Sequence, residues 1–325
     1  MTKLKKIILV IVSVIVVAFI LKATTYCIQS ARLKSEGYRF SNRKITPPYP
    51  THISTFSKYY SMYRGKDLFQ NAKGFEYKTK PILVFGDVFA NSFGLTLENN
   101  LTAKLSSITK RPVLNLADAG WSIPHMYYLL KNEPRLRSMK NVDTIIFVYN
   151  EYMKERLTSF SHYPHHDYLY LKYELEDGIL LEDFPQIKSI YNSYFIRSIE
   201  RFNGNLYANS NNPNKQQKLF NLMKSMFVDS RVFAQSMYPE FKKFVILRYV
   251  PNYKSLDNLR KMSDDAVAQL EYNFWQQLKE EGFIVIELPE IADGNQYLSS
   301  EYVFADSSPK EKAWDELLPK IIKKF

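Results

Sequence analysis

PILVFGDVFANSFG, residues 81–94, carries the pattern that decides the fold. PILVF (81–85) is a continuous apolar run bounded by Pro81 and a Gly-Asp turn, as expected of a parallel strand buried on both faces. A helix is expected just beyond the turn. Runs of the same kind recur at RPVLNLA (111–117), DTIIFVYN (143–150), KKFVILRYVP (242–251) and GFIVIELP (282–289). Helical segments lie between them. Leu97, Leu101 and Leu105 stand four apart within 95–110, and IPHMYYLLKNEPRLRSMK (123–140) reads as helix with a break at Pro134. Residues 255–281 read as one long amphipathic helix. The chain closes with a helix in which Ser308 is placed at the cap and Pro309 in the first turn. Strands alternating with helices predict βαβ units and an α/β fold with a mainly parallel sheet.

Residues 151–240 break this rhythm. They are rich in aromatics, and NGNLYANSNNPNKQQK (203–218) reads as a polar loop, so the region is taken as an insertion, helical in part. Residues 29–80 are polar, with TPPYP at 46–50, and read as a stalk or lead-in. Ahead of them, MTKLKK precedes IILVIVSVIVVAFIL (7–21), which has no polar face. At about 1.5 Å per residue such a run is short of a ~30 Å hydrocarbon core. Lys22 can snorkel, and residues 23–28 extend the segment to the required length. An uncleaved anchor over 7–28 is therefore expected. A cleaved signal peptide is the rival, but LKATTYC (21–27) offers no small-x-small site, and Tyr26 spoils a lipoprotein-type site at Cys27. The plan is an anchor at 1–28, a lead-in at 29–80 and one domain at 81–325 with the insertion at about 151–240.

With 325 residues, 46% of them hydrophobic, the chain can bury a substantial core. Its formal charge of +11 permits attraction to phosphate, anionic lipid or acidic glycan. The basic residues are spread along the chain, which argues against nucleic acid as the partner. A single cysteine, Cys27, excludes an intrachain disulfide. The sequence holds no Walker-type GK[ST], no Rossmann glycine triplet and no CxxC pair, and no cofactor is expected. HYPHHDY (162–168) places His162 and His166 at i, i+4 beside Asp167. Pro164 interrupts any helix there, so a polar aromatic loop is expected and no metal site.

A strand end followed by a helix N-terminus lifts one side chain into a crevice, where backbone amides stabilise a developing anion. Acyl transfer at such a turn needs a hydroxyl, and the residue after Gly86-Asp87 is Val88. Four segments in this order, FGDVFANSFG (85–94), VLNLADAGWS (113–122), IIFVYNEYMKE (145–155) and FADSSPKEKAW (304–314), resemble the blocks of the SGNH (GDSL-like) hydrolase family. The likeness is to its membrane-associated bacterial members, which act on or transfer acyl groups of envelope glycans.

The resemblance implies a three-layer α/β/α, flavodoxin-like domain held outside the cytoplasmic membrane, on which the near-balanced flanking charges of residues 1–34 are silent. It implies oxyanion donors at Gly120 and Asn150, with Glu151 where the family has aspartate. It puts Val88 in place of the nucleophilic serine and Ser308 in place of the basic histidine, with Asp306 two residues earlier. The expected protein is thus a catalytically degenerate member that binds an acylated envelope glycan or assists an acyltransferase partner, with Asp87, Trp121 and Glu151 facing the ligand. Asp87 with Glu151 is a further candidate, as a carboxylate pair. The alternative is an active ester hydrolase or O-acetyltransferase with a displaced nucleophile, Ser92, and a displaced base from His162, His165 or His166. A scaffold protein with a vestigial crevice is the third reading.

Overall fold

The computed structural model describes residues 39–41, 44–46, 80–91, 99–117, 121–158, 172–183, 206–250, 252–288 and 311–323. The segment 7–28 and the final cap region therefore lie outside the described residues. Among the described residues no helix is long and apolar enough to cross a membrane.

A short antiparallel pair, β1 (Arg39–Ser41) and β2 (Lys44–Thr46), precedes the main domain. The apolar runs then form β3 (Ile82–Phe85), β4 (Val113–Asn115), β5 (Thr144–Asn150), β8 (Lys243–Tyr249) and β9 (Ile284–Glu287). They build one five-stranded sheet in the order β4-β3-β5-β8-β9, with every pairing parallel. This is the doubly wound order in which the chain first moves one way from β3 and then reverses, leaving a switch point between β3 and β5. A separate antiparallel hairpin, β6 (Lys172–Glu176) and β7 (Ile179–Asp183), stands apart from that sheet.

Alternation along the strands feeds two cores. Ile145, Phe147 and Tyr149 of β5 join one core with residues of α3 (Ile123–Asn132), α5 (Tyr152–Thr158), α6 (Pro213–Met237) and α8 (Ala266–Glu280). Ile146 and Val148 point the other way, into a core with α1 (Val88–Asn91), α2 (Leu101–Thr109) and α9 (Glu311–Ile322). Helices on both faces of a parallel sheet make the three layers that were expected. The break at Pro134 is also present, since α4 (Pro134–Ser138) starts there after α3 ends at Asn132.

Two expectations need correction. The polar stretch 203–218 is not wholly loop: α6 begins at Pro213, with Asn212 accepting from the Asn214 and Lys215 amides as its cap. Asparagine followed by proline is a helix start, and that signal outweighs the polar composition. Leu219, Phe220, Met223, Met226 and Phe227 of α6 are buried, so this part of the supposed insertion is the crossover helix from β5 to β8 and carries core. Nor are residues 255–281 one helix. A 3-10 turn (Asn252–Lys254) leads into α7 (Leu256–Lys261), and the chain breaks before α8, where Asp265 caps the Val267 and Ala268 amides. An aspartate cap costs less than carrying the helix through SDD (263–265).

Candidate functional site

The first turn is built around Gly86. Its φ is +146°, and a Cβ there would lie 2.8 Å from the Ala90 Cβ and 2.9 Å from the Val148 carbonyl oxygen. Only glycine fits between β5 and α1. The turn sends Asp87 inward, with 0% exposure. One carboxylate oxygen, Oδ1, accepts from the Phe89 amide at 3.0 Å and so holds the first turn of α1, which Val88 opens. The other, Oδ2, accepts from Asn150 Nδ2 at 2.7 Å and from Arg156 Nη1 at 2.8 Å.

Asn150 ends β5, and Arg156 sits on α5 directly after it. The same Arg156 Nη1 donates to the Trp121 carbonyl oxygen at 2.8 Å. Asp87 from the turn after β3, Asn150 from the end of β5, Arg156 from α5 and Trp121 from the segment after β4 thus meet at the carboxyl edge of the sheet beside the switch point. A buried carboxylate needs such partners: removing one side of a buried pair leaves an uncompensated charge.

The first three family-like blocks are therefore brought together, though not in the roles expected. Asp87 is consumed by protein donors and fully buried, so its carboxylate serves the fold rather than facing a ligand. One Nδ2 hydrogen of Asn150 goes to Asp87, and Asn150 Oδ1 accepts from the Tyr152 amide at 3.1 Å. The local strand-ending bond and the cross-block contact both hold, which leaves the second amide hydrogen as the remaining donor. Glu151 does not pair with Asp87; it is ion-paired with Lys254. Gly120, Ser92, Asp306, Ser308 and the 162–166 histidines lie outside the described residues. Neutral sequence logic cannot see Arg156, whose only signal is a guanidinium six residues past the strand-ending asparagine.

His125 was also passed over. It occupies the first turn of α3, its Nδ1 accepts from the Ser122 amide at 3.2 Å, and its ring stacks on Trp121 at 5.4 Å with 9° between planes. Burial, reinforced by the nearby Arg156 charge, pulls its pKa down to about 3. The ring is neutral at physiological pH, with its proton on Nε2 because Nδ1 is the acceptor. An imidazole that weak, with its lone pair already engaged, positions the Trp121 loop and does not substitute for a general base.

A second polar cluster shares α5 with the first, through Lys154. Arg248 and Glu287 are register partners on β8 and β9, both at 0% exposure, and they form an ion pair. Glu271 of α8 joins them, accepting from Arg248 at 3.0 Å and from Lys154 of α5 at 2.9 Å. Both Glu287 oxygens take the Leu256 amide, at 2.9 and 3.0 Å. Burial by itself would raise the Glu271 carboxyl, but Lys154, Arg248 and Lys254 prevail and hold it at about 2. The sequence signal was present: Arg in FVILRY and Glu in IVIE interrupt apolar runs at matching heights. Among the described residues no group of three or more His, Cys, Asp or Glu is placed to hold a metal ion.

The chain is similar in structure to GDSL-family proteins. No family model matches it, and no curated protein does. A lipolytic protein of the G-D-S-L family from Veillonella parvula is 12% identical, covering 76% of this chain and 98% of its own, with a TM-score of 0.40. A GDSL-like lipase from Bacteroides thetaiotaomicron is 10% identical over 78% of this chain and 94% of its own, with a TM-score of 0.40. An acetyl xylan esterase from Butyrivibrio proteoclasticus is 11% identical over 75% of this chain and 63% of its own, with a TM-score of 0.39. No functional assignment rests on these likenesses.

Proposed function

We propose that this chain is an SGNH-like envelope protein whose crevice binds rather than hydrolyses, anchored in the cytoplasmic membrane by residues 7–28 with its domain on the outer side. Its ligand is an acylated envelope polysaccharide, presented to or received from a partner acyltransferase. The observation that carries the reading is the junction of Asp87 with Asn150 and Arg156. Supporting it, the Asp87 carboxylate is bonded within the protein, and the residue after the Gly86-Asp87 pair is Val88, which has no hydroxyl. Polarisation and binding survive the loss of a nucleophile; covalent catalysis does not.

The test uses the full chain in detergent with a serine-directed fluorophosphonate and a generic acetyl ester. No labelling is expected, and no hydrolysis above that of heat-denatured protein. Labelling of Ser92 or any other serine overturns the reading in favour of an active ester hydrolase or O-acetyltransferase. Binding is checked by calorimetry with O-acetylated oligosaccharides against their deacetylated forms; equal affinity for both would remove the acyl group from the proposal.

A further inference from the structure

The site of the proposed function lies at the carboxyl end of the sheet, so the amino end is a separate surface with its own composition. Lys80 precedes β3, Lys110 and Arg111 precede β4, Lys140 precedes β5, and Lys242 and Lys243 open β8. The register places these residues side by side. Ile82 is level with Val113 and Thr144, and Thr144 is level with Lys243. Arg111 Nε donates to the Lys80 carbonyl oxygen at 2.9 Å, and the Lys242 and Lys243 amides donate to the Asp143 carbonyl oxygen at 2.9 and 3.0 Å. Lys80, Lys110, Lys140 and Lys242 are exposed.

Among the described residues, Asp143, paired with Arg111, and Glu240, paired with Lys80, are the carboxylates that adjoin these six cations. At the β9 edge Glu280 and Glu281 adjoin Lys279 and Lys224, so the positive field is centred on β3, β4, β5 and β8. Charges of one sign gathered on one end of a domain attract a surface of the other sign. The chain enters the domain at Lys80, through this same end, and the apolar run 7–21 stands upstream of it in the sequence.

We infer that the amino end of the sheet is a basic face that lies on anionic lipid headgroups, which turns the crevice away from the bilayer. The inference rests on the membrane-anchor part of the proposed function and is independent of whether the crevice catalyses. Juxtamembrane lysines and arginines are drawn to anionic lipid within a Debye length of the surface, and salt releases them. An end-on arrangement leaves the carboxyl edge, with Tyr152 and Tyr253 49% and 65% exposed, open to a polymer approaching from outside.

The full chain, with Cys27→Ser, is reconstituted into phosphatidylcholine vesicles with or without about 30% phosphatidylglycerol. An environment-sensitive fluorophore is attached at Lys110→Cys or, at the other end, at Tyr253→Cys. The emission of the first is expected to shift to the blue only with phosphatidylglycerol, and to revert in about 0.5 M salt. The second is expected not to move. Lys80→Glu, Lys140→Glu and Lys242→Glu together should abolish the shift. Should that variant fail to fold, the salt reversal alone still decides.

An unshifted reporter at 110 in phosphatidylglycerol vesicles, or a shifted one at 253, overturns the inference. So does a reporter at 110 that answers to soluble polyglucuronate and not to lipid, which would make the face a polysaccharide site. If alkaline carbonate strips the chain from the vesicles, the anchor reading has failed. In that event flotation with phosphatidylglycerol vesicles, and not with neutral ones, supports the basic face, and failure to float overturns it.

Discussion

Gly86, Asp87 and Arg156 show how little freedom the crevice has at the level of single residues. A methyl group at Gly86 would meet Ala90 and the Val148 carbonyl oxygen while the backbone holds a φ that other residues avoid. Gly86→Ala is therefore expected to lower the thermal midpoint sharply or prevent folding, read by circular dichroism. Arg156→Met removes the counter-charge from a fully buried carboxylate and frees the Trp121 carbonyl oxygen. The expected loss is about 3–5 kcal/mol in urea unfolding. Adding Asp87→Asn should recover part of it, because a neutral amide no longer needs the guanidinium. A purely steric role for Arg156 predicts no recovery. His125 supplies a pH signature. Its folded pKa of about 3 lies below the ordinary value of 6.5, so between these values the unfolded chain binds more protons. Stability must then fall as pH drops from 6.5 towards 3. His125→Asn, which keeps an acceptor for the Ser122 amide, should flatten that part of the stability–pH curve. An unchanged slope would mean that the ring is already charged in the folded protein.

Among the elements, α6 matters most to what the chain is. Composition places its first residues in a loop, yet from Leu219 onward it fills the space over β5 and β8. Phe227 packs edge-on against Phe147 at 5.3 Å and against Phe244 at 6.4 Å. Phe227→Ala should cost about 3–5 kcal/mol, measured in urea, as large aromatic deletions in closed cores do. A cost below ~1 kcal/mol would show that α6 is a removable ornament, as an insertion would be. The strands behave differently. Each was legible because burial on both faces demands an unbroken apolar run, and all five were found within a residue or two of their observed bounds. Helices fared worse where two signals competed. In 255–281 the apolar periodicity continues through a break that one aspartate cap decides.

On the scale of the whole molecule, the sheet order β4-β3-β5-β8-β9 brings Asp87, Asn150 and Arg156 together at one end and gathers Lys80, Arg111, Lys140 and Lys242 at the other. If the crevice frame is intact, Val88→Ser with Ser308→His should restore labelling by a fluorophosphonate at position 88. A double variant that folds with the wild-type thermal midpoint but stays unlabelled would mean that the fourth block does not reach the crevice. The sequence by itself determined the class of fold, the place of the five strands of the main sheet though not the two antiparallel pairs, and the absence of a hydroxyl at Val88. These follow from local burial and from residue identity, neither of which depends on partners far along the chain. Only the tertiary structure decided that Asp87 is spent on Asn150 and Arg156, that His125 is a neutral prop, and that Arg248, Glu271 and Glu287 share one buried cluster. Those facts depend on which side chains meet across 23 to 69 residues of sequence, and a charge becomes structural only when another charge is brought to it out of water.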